Sequence, residues 1–171
     1  VVAAIAAAGV DTSLVEVRSD APTGVYFKDP GPRGTRVHYY RAGSAASTMD
    51  EGFLPDDRAD APRLLHLSGI TPALSARCAR LVRHLLTRPR RARVSFDVNY
   101  RPALWPVEQA GPVLRELAQL ADLVFVGLDE AHALWGVRAP EDVRQVLGRP
   151  DVVVVKDGAN AAHAFGAEAV T

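Results

Sequence analysis

From residue 63 to 156 the chain alternates short β-branched runs with longer amphipathic ones, and this alternation limits its fold more than any other feature. Strands are expected at 63–67, 92–98, 123–126 and 151–156, and helices at 73–87, 107–120, 129–135 and 140–147. The four consecutive valines at 152–155 read as a strand buried on both faces. Strand, helix and strand in repeated succession imply right-handed βαβ units, hence an α/β fold with a mostly parallel sheet flanked by helices.

The first third reads differently. Short strands are expected at 14–17, 23–28 and 36–41, and the Asp-Pro-Gly-Pro-Arg-Gly run at 29–34 turns the last two into a hairpin. Residues 1–8 read as the end of an apolar helix stopped by Gly9, and 49–61 as acidic surface helix and loop. The tail at 161–171 reads as the start of another hairpin. The expected organisation is a helix end of the α/β body at 1–12, a small β lid at 13–47 and the central part of the body at 48–171.

Position 1 is Val and the only methionine is Met49, so the expectation is a processed chain or a fragment, incomplete at both ends. No apolar run approaches the roughly 20 residues of a membrane helix, and no membrane partner is expected. A single cysteine, Cys78, excludes an internal disulfide framework; on a helix with no adjacent base it reads as structural. Basic and acidic residues balance at 20 each. Arg77, Arg80, Arg83, Arg88, Arg90, Arg91 and Arg93 crowd one stretch, but 77, 80 and 83 recur at helical spacing and no aromatics interleave. That favours a solvated helix face over a nucleic-acid patch.

Ligands of open α/β sheets bind beyond the carboxyl ends of the strands. Two expected strands end there in polar groups. Asp97, Asn99 and Arg101 alternate along one exit and offer a carboxylate, an amide and a guanidinium to one ligand. Lys156-Asp157-Gly158 leaves the last strand, with a glycine that permits close backbone approach. In the hairpin, Tyr39 and Arg41 face one side and Tyr40 the other. No Walker loop occurs, the five histidines lack metal-ligand spacing, and His66, within a strand, reads as a satisfied core residue.

These segments together carry a resemblance. The run from Arg36 to Ser47 (Arg-Val-His-Tyr-Tyr-Arg-Ala-Gly-Ser-Ala-Ala-Ser), the run Leu65-His-Leu-Ser-Gly-Ile-Thr-Pro-Ala-Leu74 and the run Phe96-Asp-Val-Asn-Tyr-Arg-Pro-Ala-Leu-Trp105 resemble the PfkB/ribokinase-like sugar kinases. Within them the nearest pattern is that of 2-keto-3-deoxygluconate kinases. The resemblance implies a ribokinase-like fold, a cytoplasmic enzyme and transfer of the ATP γ-phosphoryl group, with Mg²⁺, to the terminal hydroxyl of a small sugar acid. It implies that Tyr26, Tyr39, Arg41 and Arg101 hold the acid, and that Asn99, Tyr100, Arg101, Gly127, Glu130, Lys156 and Gly158 meet the nucleotide, Glu130 acting on the metal indirectly. It also implies a homo-oligomer formed through the lid.

Gly127 stands where the family's Asn-x-x-Glu element has Asn, and Ala161 where its loop has a second glycine. The family's Gly-Ala-Gly-Asp segment, which carries the general base, does not occur in these 171 residues, nor does its N-terminal glycine-rich strand pair. The chain alone is therefore expected to be inactive, with no catalytic residue of its own. A kinase of ribose, fructose or another sugar, or a binding relic without catalysis, are the alternative readings.

Overall fold

The computed structural model describes residues 1–32 and 34–166. They fall into two compact units, Val1–Ala46 and Ser47–Thr171.

The first unit holds helix α1 (Val2–Ala7) and an antiparallel hairpin, β1 (Val25–Gly31) with β2 (Gly34–Tyr40). Its ladder runs from Val25 opposite Tyr40 to Gly31 opposite Gly34, so the strands continue through most of the expected turn. The strand expected at 14–17 does not form. Val15 donates its N–H to the Thr12 carbonyl in a turn, and Leu14, Val15 and Val17 are exposed. This apolar run finds no ladder partner among the described residues, and propensity alone does not make a strand.

The second unit begins with the short helix α2 (Asp56–Ala59) and strand β3 (Leu64–Ser68). Helices α3 (Ile70–Leu74) and α4 (Ala76–Thr87) follow, then β4 (Arg93–Asp97) and α5 (Val107–Gln119). Strand β5 (Leu123–Gly127), α6 (Leu128–Trp135), α7 (Pro140–Leu147), β6 (Val152–Asp157) and β7 (Ala161–Gly166) complete it. The sheet order is β3-β4-β5-β6-β7; the first four strands are parallel and β7 returns antiparallel to β6. Of the tail expected as a hairpin, 167–171 lie outside the described residues.

One helix was expected at 73–87, and two are found. Ser75 is extended, with φ −168°, and its hydroxyl accepts the Cys78 N–H at 3.2 Å while donating to the Ser47 carbonyl at 2.8 Å. A serine that caps so effectively starts a new helix.

Period-two alternation sorts the sheet residues. Val94, Phe96, Val124, Val126, Val153 and Val155 share one face and are completely buried with Leu114, Leu117, Val143 and Leu147 of the helices. Cys78 is buried and its thiol donates to the Met49 carbonyl at 3.5 Å, as a structural cysteine would. His66, by contrast, is exposed: β3 is an edge strand of this sheet, although His66 Nδ1 still meets Ser95 Oγ at 2.8 Å. The arginine run is engaged in ion pairs. Arg80 pairs with Glu51, Arg83 with Glu116, Arg88 with Asp56 and Asp60, Arg90 with Asp122, and Arg93 with Asp151. Among the described residues no helix is long and apolar enough to cross a membrane.

Candidate functional site

Parallel strands direct their carboxyl ends to one edge, so β4, β5 and β6 deliver Asp97, Gly127 and Lys156 to the same edge of the sheet. The expected Asp97-Asn99-Arg101 row does not stay extended. Asn99 adopts φ +42°, the left-handed region in which asparagine is more tolerated than most side chains. The chain therefore turns, and the three groups find different partners.

Asp97 accepts from Lys156 Nζ at 3.1 and 3.4 Å, a pair spanning β4 to β6. Asn99 Nδ2 donates to Ser68 Oγ at 3.2 Å. Arg101 Nη1 donates to the Tyr100 carbonyl at 2.9 Å and approaches Glu130 Oε1 at 3.4 Å. The close approach of β3 to this exit depends on Gly69, whose N–H donates to the Asp97 carbonyl at 2.8 Å. A Cβ on Gly69 would overlap the Val98 carbonyl oxygen.

Glu130 sits in the first turn of α6, where its Oε2 accepts the Gly127 N–H at 2.9 Å, one half of a capping box. Burial pushes its carboxyl above the ordinary range. The Gly127 N–H draws it down, Asp97 adds to the rise, and Lys156 and Arg101 oppose it. The ionised form is thus disfavoured in the fold. Wild-type stability should fall as pH rises from the ordinary carboxylate value through the raised one. Glu130→Gln keeps an acceptor for Gly127 and should lose that part of the fall; denaturation midpoints of both proteins between pH 4 and 8 measure the difference.

Tyr100 is buried, with its ring in the core and its hydroxyl 3.4 Å from the Trp105 carbonyl, so its backbone is what it brings to this edge. Gly158 follows β6 with φ +54°, and nothing lies within 4 Å of where its Cβ would be. In the other unit, Tyr26 and Tyr39 are cross-strand partners with rings 6.0 Å apart, and the Arg41 guanidinium stacks 4.1 Å from the Tyr39 ring centre. Tyr40 lies on the opposite face against Phe27.

Two interactions were not legible beforehand. Lys156 with Asp97 and Arg101 with Glu130 join residues 59 and 29 positions apart, and no local pattern announces them.

The pfkB family carbohydrate kinase model matches residues 1–170. The chain belongs to this family. It is 40% identical over 141 residues to the 2-dehydro-3-deoxygluconokinase of Bacillus subtilis (strain 168), covering 79% of this chain and 43% of that protein. With the enzyme of the same name from Thermoproteus tenax it shares 36% over 164 residues, 92% of this chain and 50% of that one. The crystal structure of a PfkB protein from Polaromonas sp. JS666 superposes with a TM-score of 0.88 at 36% identity, covering 96% of this chain and 57% of that chain. The expected ribokinase-like α/β fold is therefore the one found. The chain spans about half the length of the curated relatives it matches.

Members of this family imply ATP and a divalent metal. Among the described residues no three His, Cys, Asp or Glu side chains converge to hold a metal by themselves. Asp97 and Glu130 are close enough for the charge of one to raise the other. Glu130, with a carboxylate at this edge, fits a Mg²⁺ reached through water and shared with substrate phosphates, which is how that ion is commonly held.

Proposed function

We propose that this chain is the sugar-acid- and nucleotide-binding portion of a kinase that phosphorylates the terminal hydroxyl of 2-dehydro-3-deoxygluconate, also called 2-keto-3-deoxygluconate, using ATP. The observation that carries the proposal is the match to 2-dehydro-3-deoxygluconokinase along 92% of the chain. The cations at the sheet edge support it. Arg101 is held through Nη1 and offers a planar fork suited to a carboxylate or phosphate, which an ammonium would not reproduce.

In this reading Tyr26, Tyr39, Arg41 and Arg101 orient the acid, and Asn99, Gly127, Glu130, Lys156, Gly158 and the Tyr100 backbone meet the nucleotide. Their contribution is orientation and charge. Mg²⁺, held by Glu130 through water, would neutralise charge on the transferring phosphoryl group. No Gly-Ala-Gly-Asp segment is present, so the chain alone binds without turning over appreciably. The whole protein acts in the cytoplasm as an oligomer paired through the hairpin.

The complete gene product, assayed on a sugar panel, tests the substrate. Preference for the keto-deoxy acid over ribose and fructose is expected, and the reverse order would overturn the reading. Arg101→Ala should weaken acid binding by about tenfold or more, the equivalent of about 1.4 kcal/mol, measured by calorimetric titration of the acid. Unchanged affinity would remove Arg101 from the site.

A further inference from the structure

Lys156 and Asp97 meet although β5 runs between their strands. Phe125 is the β5 partner of Asp97, and Gly127 is the β5 partner of Lys156. Residues two apart on a strand share a face, so Asp97, Phe125, Gly127 and Lys156 all stand on one face of the sheet. With strands about 4.8 Å apart, the lysine must cross about 10 Å of sheet. The ammonium completes that crossing, reaching Asp97 at 3.1 Å. Gly127 itself is required by its own helix start, because an added Cβ would overlap Asp129 Oδ1 and come within 3.3 Å of Glu130.

We infer that Asp97 is a positioning residue for Lys156, holding its ammonium at the sheet edge. The inference rests on the reading that Lys156 meets the nucleotide phosphates. A free lysine carries rotamer entropy that binding must remove. A stem already held across β5 has lost much of that freedom before the ligand arrives. The Lys156 side chain remains 46% exposed while Asp97 is 24% exposed, so the carboxylate is tucked in and the ammonium still faces outward. Protein kinases use the same principle when a carboxylate holds the lysine that touches ATP.

Lys28 and Lys156 are the only lysines, so the intact chain labelled with ¹³C-lysine gives two sets of ε-methylene signals. The two ε-protons of Lys156 should be inequivalent, and those of Lys28, on the exposed hairpin strand, should coincide. Asp97→Asn should collapse the Lys156 pair. Asp157→Asn, which removes the same charge one residue from Lys156, should leave it intact.

ATP titration should weaken about tenfold in Asp97→Asn and recover in Asp97→Glu. A Lys156 signal indifferent to Asp97→Asn overturns the inference. So does tighter ATP binding in that variant, which would make Asp97 a competitor of phosphate for Lys156. If the unaltered chain binds no ATP while the Lys156 inequivalence still depends on Asp97, the carboxylate's hold on the lysine is supported and the nucleotide reading falls.

Discussion

Gly69→Ala is expected to cost the fold about 3–5 kcal/mol, far more than an ordinary glycine substitution. Gly69 has φ −64°, which alanine adopts freely, so the cost is one of space. The new methyl would overlap the Val98 carbonyl oxygen and lie 2.7 Å from Leu114 Cδ2. Backbone cannot swing aside as a side-chain tip can, and Val98 is completely buried. Relief requires moving the segment that leads into Asn99 and Arg101, so the damage reaches the candidate site as well. Urea unfolding provides the measurement, with Gly136→Ala as comparison. Gly136 has φ +73° and nothing within 4 Å of where a methyl would stand, so its variant should lose only about 1–2 kcal/mol from backbone strain. Equal losses in the two variants would show that the contact at Val98 is not what requires a glycine at position 69.

Asp122→Ala is expected to cost about 2–4 kcal/mol. Its carboxylate accepts from Arg90 Nη1 at 2.5 Å and Nη2 at 3.1 Å, and from the Val94 N–H at 2.6 Å. Its own backbone bonds to Val94 and Val152, so one residue ties together the starts of β4, β5 and β6. Alanine leaves a mostly buried guanidinium and a strand N–H without this acceptor. Burial pushes the Asp122 carboxyl up, but the Arg90 and Val94 hydrogen bonds outweigh it and hold it below the ordinary range. A lowered carboxylate stabilises the fold above its unfolded value, and that contribution disappears as pH falls through the lowered one. The gap between wild type and Asp122→Ala should therefore be widest near neutral pH and close in acid. Melting temperatures from pH 2 to 7 would show this, and a gap constant with pH would contradict it.

Asp60 acts alike on the other side of β4. It accepts from Arg88 and from the Arg91 and Ala92 N–H groups, and Arg88 holds its carboxyl low. The arginines that crowd the sequence between 77 and 93 thus largely meet carboxylates of neighbouring elements. Helical spacing indicated a face for three of them, but no spacing shows which acid 28 to 58 residues away each one meets.

Long periodic segments were the most legible. The 107–120 pattern became α5, and the 152–155 valines became β6, because repeating apolar positions report directly on one buried face. Short segments were less so. The 14–17 run has strand composition without a partner, and Ser75 interrupts what the apolar period alone reads as one helix. At the site, the strand ends gave Asp97, Arg101 and Lys156 as candidates, but extended alternation was extrapolated past the point where Asn99 leaves the β region.

The sequence by itself determined the α/β class, the hairpin and the residues whose chemistry suits an anionic ligand, since periodicity, turn chemistry and donor types are local properties. Tertiary structure decided which cation meets which carboxylate. Lys156 illustrates the difference: in the sequence it is a cation at a strand end, whereas in the sheet its ammonium reaches Asp97 two strands away. That reach depends on the order and register of three strands, which long-range pairing sets and no local pattern encodes.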